Sequence, residues 1–119
     1  MNQIPGGQGI TIGVVDSGIN RNHPSLAGRV TANLNYVSSP PNNLSVDDVV
    51  GHGTAVSLIT AGKPFGTWPG GVAPGANLVS ARIIADKAPT DDGSGNGNEV
   101  NGALGLESIH RDLINRGAR

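Results

Sequence analysis

The sequence predicts an α/β domain built on a parallel sheet, and two observations carry that prediction. Candidate strands alternate along the chain with stretches of helical spacing, the order that places helices against a parallel sheet. Ile, Val, Leu and Phe supply 29 of the 119 residues, about 24%, above the roughly 20% below which disorder is the default. A chain of this length holds one small domain. With 19 Gly, 8 Pro and three aromatic residues, its core must be built from aliphatic and small side chains.

The first element is Ile10 to Val15, a β-branched run that follows a glycine-rich start and stops at Asp16-Ser17-Gly18, as a buried strand does. A second strand is expected over Val30 to Val37, with Val30, Ala32, Leu34 and Tyr36 on one side, before the Ser38-Ser39-Pro40-Pro41-Asn42-Asn43 loop. Gly51 to Gly62 mixes small and apolar residues and reads as a short buried helix. Lys63 to Ala76 is dense in proline and glycine, which is turn chemistry, and Leu78 to Ile84 is the third strand. A polar loop over 91–98 precedes Glu99 to Asn115, where Val100, Ala103, Leu104, Leu106, Ile109, Leu113 and Ile114 recur at mostly three- and four-residue spacings and Gly117 offers a stop. Three strands are few for a parallel sheet covered on both faces. A further strand is expected after Arg119, so the chain reads as cut short.

Charge and cysteine content exclude several functions. Eight Lys+Arg against nine Asp+Glu leave a formal charge of −1, which argues against an electrostatic nucleic-acid binder. The absence of cysteine excludes a disulfide framework, a thiolate zinc site and a cysteine nucleophile. No apolar run is long enough for a membrane segment, and Met1 to Gly6 lacks the basic and apolar regions of a signal peptide.

In open α/β sheets functional groups gather beyond the carboxyl ends of the strands, which is where Asp16 stands. Taken alone, Asp-Ser-Gly is an ordinary turn, and a His at a helix start is an ordinary hydrogen-bonding residue. The pairing changes this. Asp16-Ser17-Gly18 at a strand end, followed 36 residues later by Gly51-His52-Gly53-Thr54 opening a small-residue helix, resembles the subtilisin-like serine proteases (peptidase S8). Gly71-Val72-Ala73-Pro74-Gly75-Ala76 leading into the third strand, His23-Pro24-Ser25-Leu26 after the Asp motif, and Gly93-Ser94-Gly95 before the last helix are similar to that family in the same order.

The resemblance implies a three-layer α/β/α fold, with residues 1–119 forming the N-terminal portion of a single catalytic domain. It implies a serine endopeptidase in which Asp16 is the orienting acid and His52 the general base. The chemistry gives these types a reason. A serine hydroxyl is a poor nucleophile near neutral pH, so an imidazole must take its proton while a carboxylate fixes the tautomer and stabilises the imidazolium.

Asp48, four residues before His52, matches an acidic position lining the pocket for the second residue before the scissile bond. Gly93, Ser94 and Gly95 match the edge along which a peptide substrate lies as an added strand. Where the family usually reads His-Gly-Thr-His-Val-Ala-Gly, this sequence has Ala55 and Ser57 in place of the second His and the Ala. The family's nucleophile and oxyanion asparagine fall in its second half and are not matched here, so these residues alone are expected to be inactive. Ser17 and Ser57 adjoin the pair, and Ser108, His110 and Asp112 cluster in sequence, but alternate residues of a helix point to different sides.

Further expectations follow from the family. The partners are a peptide or protein substrate and the missing C-terminal half, with self-association through the exposed edge of the first strand. The location is secreted or cell-surface. No cofactor is expected; calcium is frequent in the family, but no matching ligand set can be named. Three other readings compete with this one. A nucleotide site fails because Gly93, Gly95 and Gly97 alternate where the dinucleotide pattern needs a glycine at Asn98. A metal site of His23, Asp47, Asp48 and His52 matches no common ligand spacing. A non-catalytic remnant that only binds is the alternative function.

Overall fold

The computed structural model describes residues 5–37, 42–86 and 102–118. Strands β1 (Thr11–Asp16), β2 (Val30–Asn35) and β3 (Asn77–Arg82) form a parallel sheet in the order β1-β3-β2, with helices α1 (His52–Ala61) and α2 (Gly102–Asn115) joining the layers. A single 3₁₀ turn, Pro5–Gly7, precedes β1. The third strand in sequence is central, and five of its six residues are buried because both of its faces are covered.

One face of the sheet packs on α1 and the other on α2. On the α1 side Val14, Ile19, Leu26, Ala61, Ala76 and Leu78 form a core cluster, joined by Val30 and Leu58. On the α2 side Val79, Ala81, Ile83, Ile109, Leu113 and Ala118 form a second, joined by Ala32, Leu34 and Tyr36. The architecture is thus the three-layer α/β/α arrangement. Buried Arg29 ties β2 to the turn before β3 through bonds from its guanidinium to the Ala76 and Ser25 carbonyls, each at 2.7 Å.

Several sequence expectations change in detail. Val30 does not share a face with Ala32, Leu34 and Tyr36. Val30 pairs with Leu78 and Ala32 with Val79, so β2 advances two residues while β3 advances one, and the bulge sends Val30 to the opposite side of the sheet. Helix α1 is not buried all round: Gly53, Ser57 and Ala61 form its buried stripe, while Ile59 is exposed. Its end falls at Gly62 as expected, where the Gly62 amide donates to the Leu58 carbonyl. Helix α2 ends at Asn115, and the Gly117 and Ala118 amides close it on the Ile114 and Leu113 carbonyls. Its expected first residues, 99–101, lie outside the described residues. Beyond α2, Ala118 forms a parallel bridge with Thr11 on the edge of β1 that faces away from β3.

Candidate active site

Parallel pairing brings the carboxyl ends of all three strands to one row, with Asp16 opposite Arg82 and Arg82 opposite Asn35. Asp16 is therefore the last residue of β1 rather than the first beyond it. Its carbonyl accepts from the Ile83 amide at 2.8 Å, which fixes the main chain, and Ser17 N donates to its Oδ1 at 2.7 Å, which orients the carboxylate.

His52 is the first residue of α1. The structure places its Nδ1 2.9 Å from both Oδ1 and Oδ2 of Asp16. An ionised carboxylate only accepts, so this contact is a hydrogen bond when Nδ1 carries the proton, and the lone pair of a neutral ring then lies on Nε2. The carboxylate side chain is 16% exposed and the imidazole 69%. The acid is thus shielded behind the ring, while the ring itself is open to a reactant.

Two glycines allow this approach. Gly53 sits so close to the Gly18 carbonyl that a Cβ at position 53 would collide with it. Gly18 adopts a φ of +111° and presses on the Asp47 carbonyl, so a side chain there would be both strained and obstructed. The strand-to-loop turn after Asp16 and the start of α1 are thereby packed backbone to backbone.

The neighbouring polar groups are all engaged. Ser17, 1% exposed, donates its hydroxyl to Asp48 Oδ1 at 2.8 Å and accepts from the Gly53 amide at 2.9 Å. Fully buried Ser57 donates to the Gly53 carbonyl. Neither hydroxyl is available to a substrate. Asp48 accepts from the amides of Gly51 and Thr54 and from the Thr54 hydroxyl as well as from Ser17. Burial raises the Asp48 pKa, but those donors outweigh it and hold the carboxyl below its ordinary range. Asp47 is also held low, chiefly by the Arg21 guanidinium, which donates at 2.7 and 2.9 Å. His23 accepts from the Ser25 amide on Nδ1, so the residues considered for a metal each have a protein partner. A cleft of about 330 Å³ opens beside this cluster, lined in part by Asn20, Asn22, Ser45, Asp47 and Asp48.

Ser108 and His110 are exposed on α2, and Asp112 instead accepts from the Tyr36 hydroxyl at 2.7 Å. Gly93, Ser94 and Gly95 lie outside the described residues. Sequence reasoning missed Arg82. Its buried guanidinium donates to the carbonyls of Val46 and Asn43 and pairs with Asp86, clamping the loop that leads to Asp48 and His52. The available signal was a single charged residue inside the otherwise uncharged run Leu78 to Ile84, because a charge buried in a strand requires a partner.

A model of the subtilase family (peptidase S8) matches residues 7–116. Subtilisin from Bacillus sp. (strain TA39) is 37% identical over 106 residues, which are 86% of this chain and 24% of that protein. Subtilisin-like protease 7 from Arthroderma gypseum is 35% identical over 113 residues, 94% of this chain and 24% of that protein. Among solved structures, a cold adapted subtilisin-like serine proteinase superposes with a TM-score of 0.65 at 27% identity, covering 98% of this chain and 35% of the other. The MycP3 protease from the type VII (ESX-3) secretion system gives a TM-score of 0.62 at 31% identity, covering 97% and 30%. The chain spans about a quarter of the length of the curated relatives it matches. A carboxylate at the end of β1 meeting an imidazole at the start of α1, within a three-layer sheet matched along almost its whole length, places this chain in the subtilase family of subtilisin-like serine proteases.

Proposed function

We propose that this chain supplies the acid and the base of a serine endopeptidase site, with Asp16 as the orienting acid and His52 as the general base. The observation that carries the reading is the double 2.9 Å contact of His52 Nδ1 with the Asp16 carboxylate, set behind an exposed ring. In the reaction His52 Nε2 takes the proton of a serine hydroxyl as that oxygen attacks the peptide carbonyl. The imidazolium so formed is stabilised by Asp16 and returns the proton to the leaving amine.

The nucleophile and the oxyanion donor are assigned to the part of the family's catalytic domain that these residues do not match, so the 119 residues by themselves hydrolyse no peptide. Burial of the hydroxyls of Ser17 and Ser57 supports this assignment. The substrate is a peptide or protein. Gly93, Ser94 and Gly95 are the proposed edge for its backbone, and Asp48 adjoins the cleft proposed to receive a side chain. Among the described residues no helix is long and apolar enough to cross a membrane. The proposed setting is secreted or cell-surface, and the proposed partner, besides substrate, is the remaining half of the catalytic domain. The outer edge of β1 beyond the bridge between Thr11 and Ala118 is the proposed route of self-association in its absence.

The test has two arms. A serine-directed fluorophosphonate should leave the chain unlabelled, and stoichiometric labelling of any of its nine serines would overturn the split-site reading. Supplying the C-terminal half of a subtilase domain in trans should restore cleavage that His52→Ala abolishes. Tight complex formation with no cleavage would favour a binding role instead.

A further inference from the structure

We propose that Asp48 is a positioning residue that, through Ser17 and Thr54, sets the start of α1 so that the His52 imidazole meets Asp16. The proposal rests on the acid–base reading of Asp16 and His52, and it gives Asp48 a task distinct from lining a substrate pocket.

The bonding pattern carries it. Each carboxylate oxygen of Asp48 takes two donors: Oδ1 accepts from Ser17 Oγ and the Gly51 amide, each at 2.8 Å, and Oδ2 accepts from the Thr54 amide at 2.9 Å and the Thr54 hydroxyl at 2.5 Å. Gly51 and Thr54 flank His52 on either side. Ser17 directly follows Asp16, and its hydroxyl also receives the Gly53 amide at 2.9 Å. One carboxylate therefore reaches the residue beside the acid and the residues on both sides of the base. Gly51 has no side chain to cap α1, so the Thr54 amide is satisfied by Asp48 from the preceding loop and the Gly53 amide by the Ser17 hydroxyl, and the negative charge of Asp48 also suits the positive end of the helix. The loop is itself anchored, through Arg82 to the Val46 carbonyl and through Arg21 to Asp47.

Asparagine at position 48 would keep one accepting oxygen and turn an NH₂ group toward two donors. The start of the helix would then lose half its bracket, and the ring its fixed distance from Asp16. Constellations of this kind require placement within about 0.5 Å.

The test reads the neutral tautomer of His52 in the full 119-residue chain by long-range ¹H–¹⁵N correlation spectra. The wild-type ring should hold its proton mainly on Nδ1, and Asp16→Ala should abolish that preference. Asp48→Asn and Thr54→Val should lower the Nδ1–H to Nε2–H ratio by roughly three- to tenfold, the population equivalent of one net hydrogen bond. Thr54→Ser, which keeps the hydroxyl, should restore it. An unchanged ratio in Asp48→Asn or Thr54→Val, with Asp16→Ala still effective, would overturn the positioning role and leave the acid–base pair intact. An unchanged ratio in Asp16→Ala would remove the pair and the proposal together. If Asp48→Asn fails to fold, the comparison of Thr54→Val with Thr54→Ser decides the matter, since part-buried Thr54 tolerates loss of a methyl group.

Discussion

Two groupings of serine, histidine and aspartate occur in this chain, and they differ in what assembles them. Asp16, Ser17 and His52 come from a strand end and a helix start 36 residues apart, yet they share one hydrogen-bonded cluster. Ser108, His110 and Asp112 lie within five residues on α2, and Asp112 instead holds the hydroxyl of Tyr36. Nearness in sequence works against the second group, because residues two apart on a helix diverge by more than a quarter turn. Crossing of elements at the carboxyl end of a parallel sheet works for the first.

The two groupings should differ most in the activity of the complemented enzyme. His52→Ala should cost on the order of 10⁶ in kcat, a magnitude carried over from subtilisin itself rather than deduced from this geometry, whereas His110→Ala should leave turnover unchanged. Steady-state kinetics on a peptide substrate would check both. Next in size, Asp16→Asn should lower kcat by about 10⁴ with little change in KM, because the carboxylate acts on the tautomer and charge of the base and not on bound substrate. Asp112→Asn should alter neither. Equal losses at the two sites would show that the distinction between the groupings is wrong.

Smaller effects should appear in stability. Gly53→Ala forces a Cβ against the Gly18 carbonyl and should destabilise the chain by about 1–3 kcal/mol in urea titrations, as overpacked sites do. If the loss is near zero, the two backbones are not locked at the site.

The smallest effects, and the ones that separate the regions by pH, come from groups around each cluster. Asp47 and Asp48 have folded-state pKa values below the ordinary 3.8. Their contribution is therefore full above about pH 4 and is lost as pH falls through the depressed values. Tyr36 behaves in the opposite sense: burial, reinforced by the bond to Asp112, pushes its pKa up to about 12 from 10.0. Its contribution is full below pH 10 and is lost as pH rises toward 12. Tyr36→Phe should flatten the alkaline limb of the stability profile and Asp48→Asn the acid limb, each leaving the other limb in place.

Much of this molecule was legible before folding. Apolar runs located the three strands, because a buried parallel strand must be apolar along its length; apolar residues recurring every three or four positions located α2, and small residues mixed with apolar ones ahead of Gly62 located α1. The Asp16 and His52 motifs were legible too, since strand ends and helix starts are marked by their own turn and cap chemistry. Asp48 was visible as an acidic residue near the histidine, but its link to the acid was not, because Ser17 lies 31 residues away while the other donors come from Gly51 and Thr54 close by in sequence.

What composition and spacing left open depended on which backbones touch. The bulge after Val30 is invisible in an alternating run, since it arises from pairing with β3 and reverses the face of a single residue. The place of β3 at the centre of the sheet, the clamp made by Arg82 and the need for glycine at 53 opposite Gly18 have the same origin. Local residue types settled which elements form, because propensity and burial pattern act over a few residues. Contacts between residues tens of positions apart settled the geometry that brings Asp16 and His52 to 2.9 Å, because a distance that short is set by packed tertiary neighbours and not by either motif.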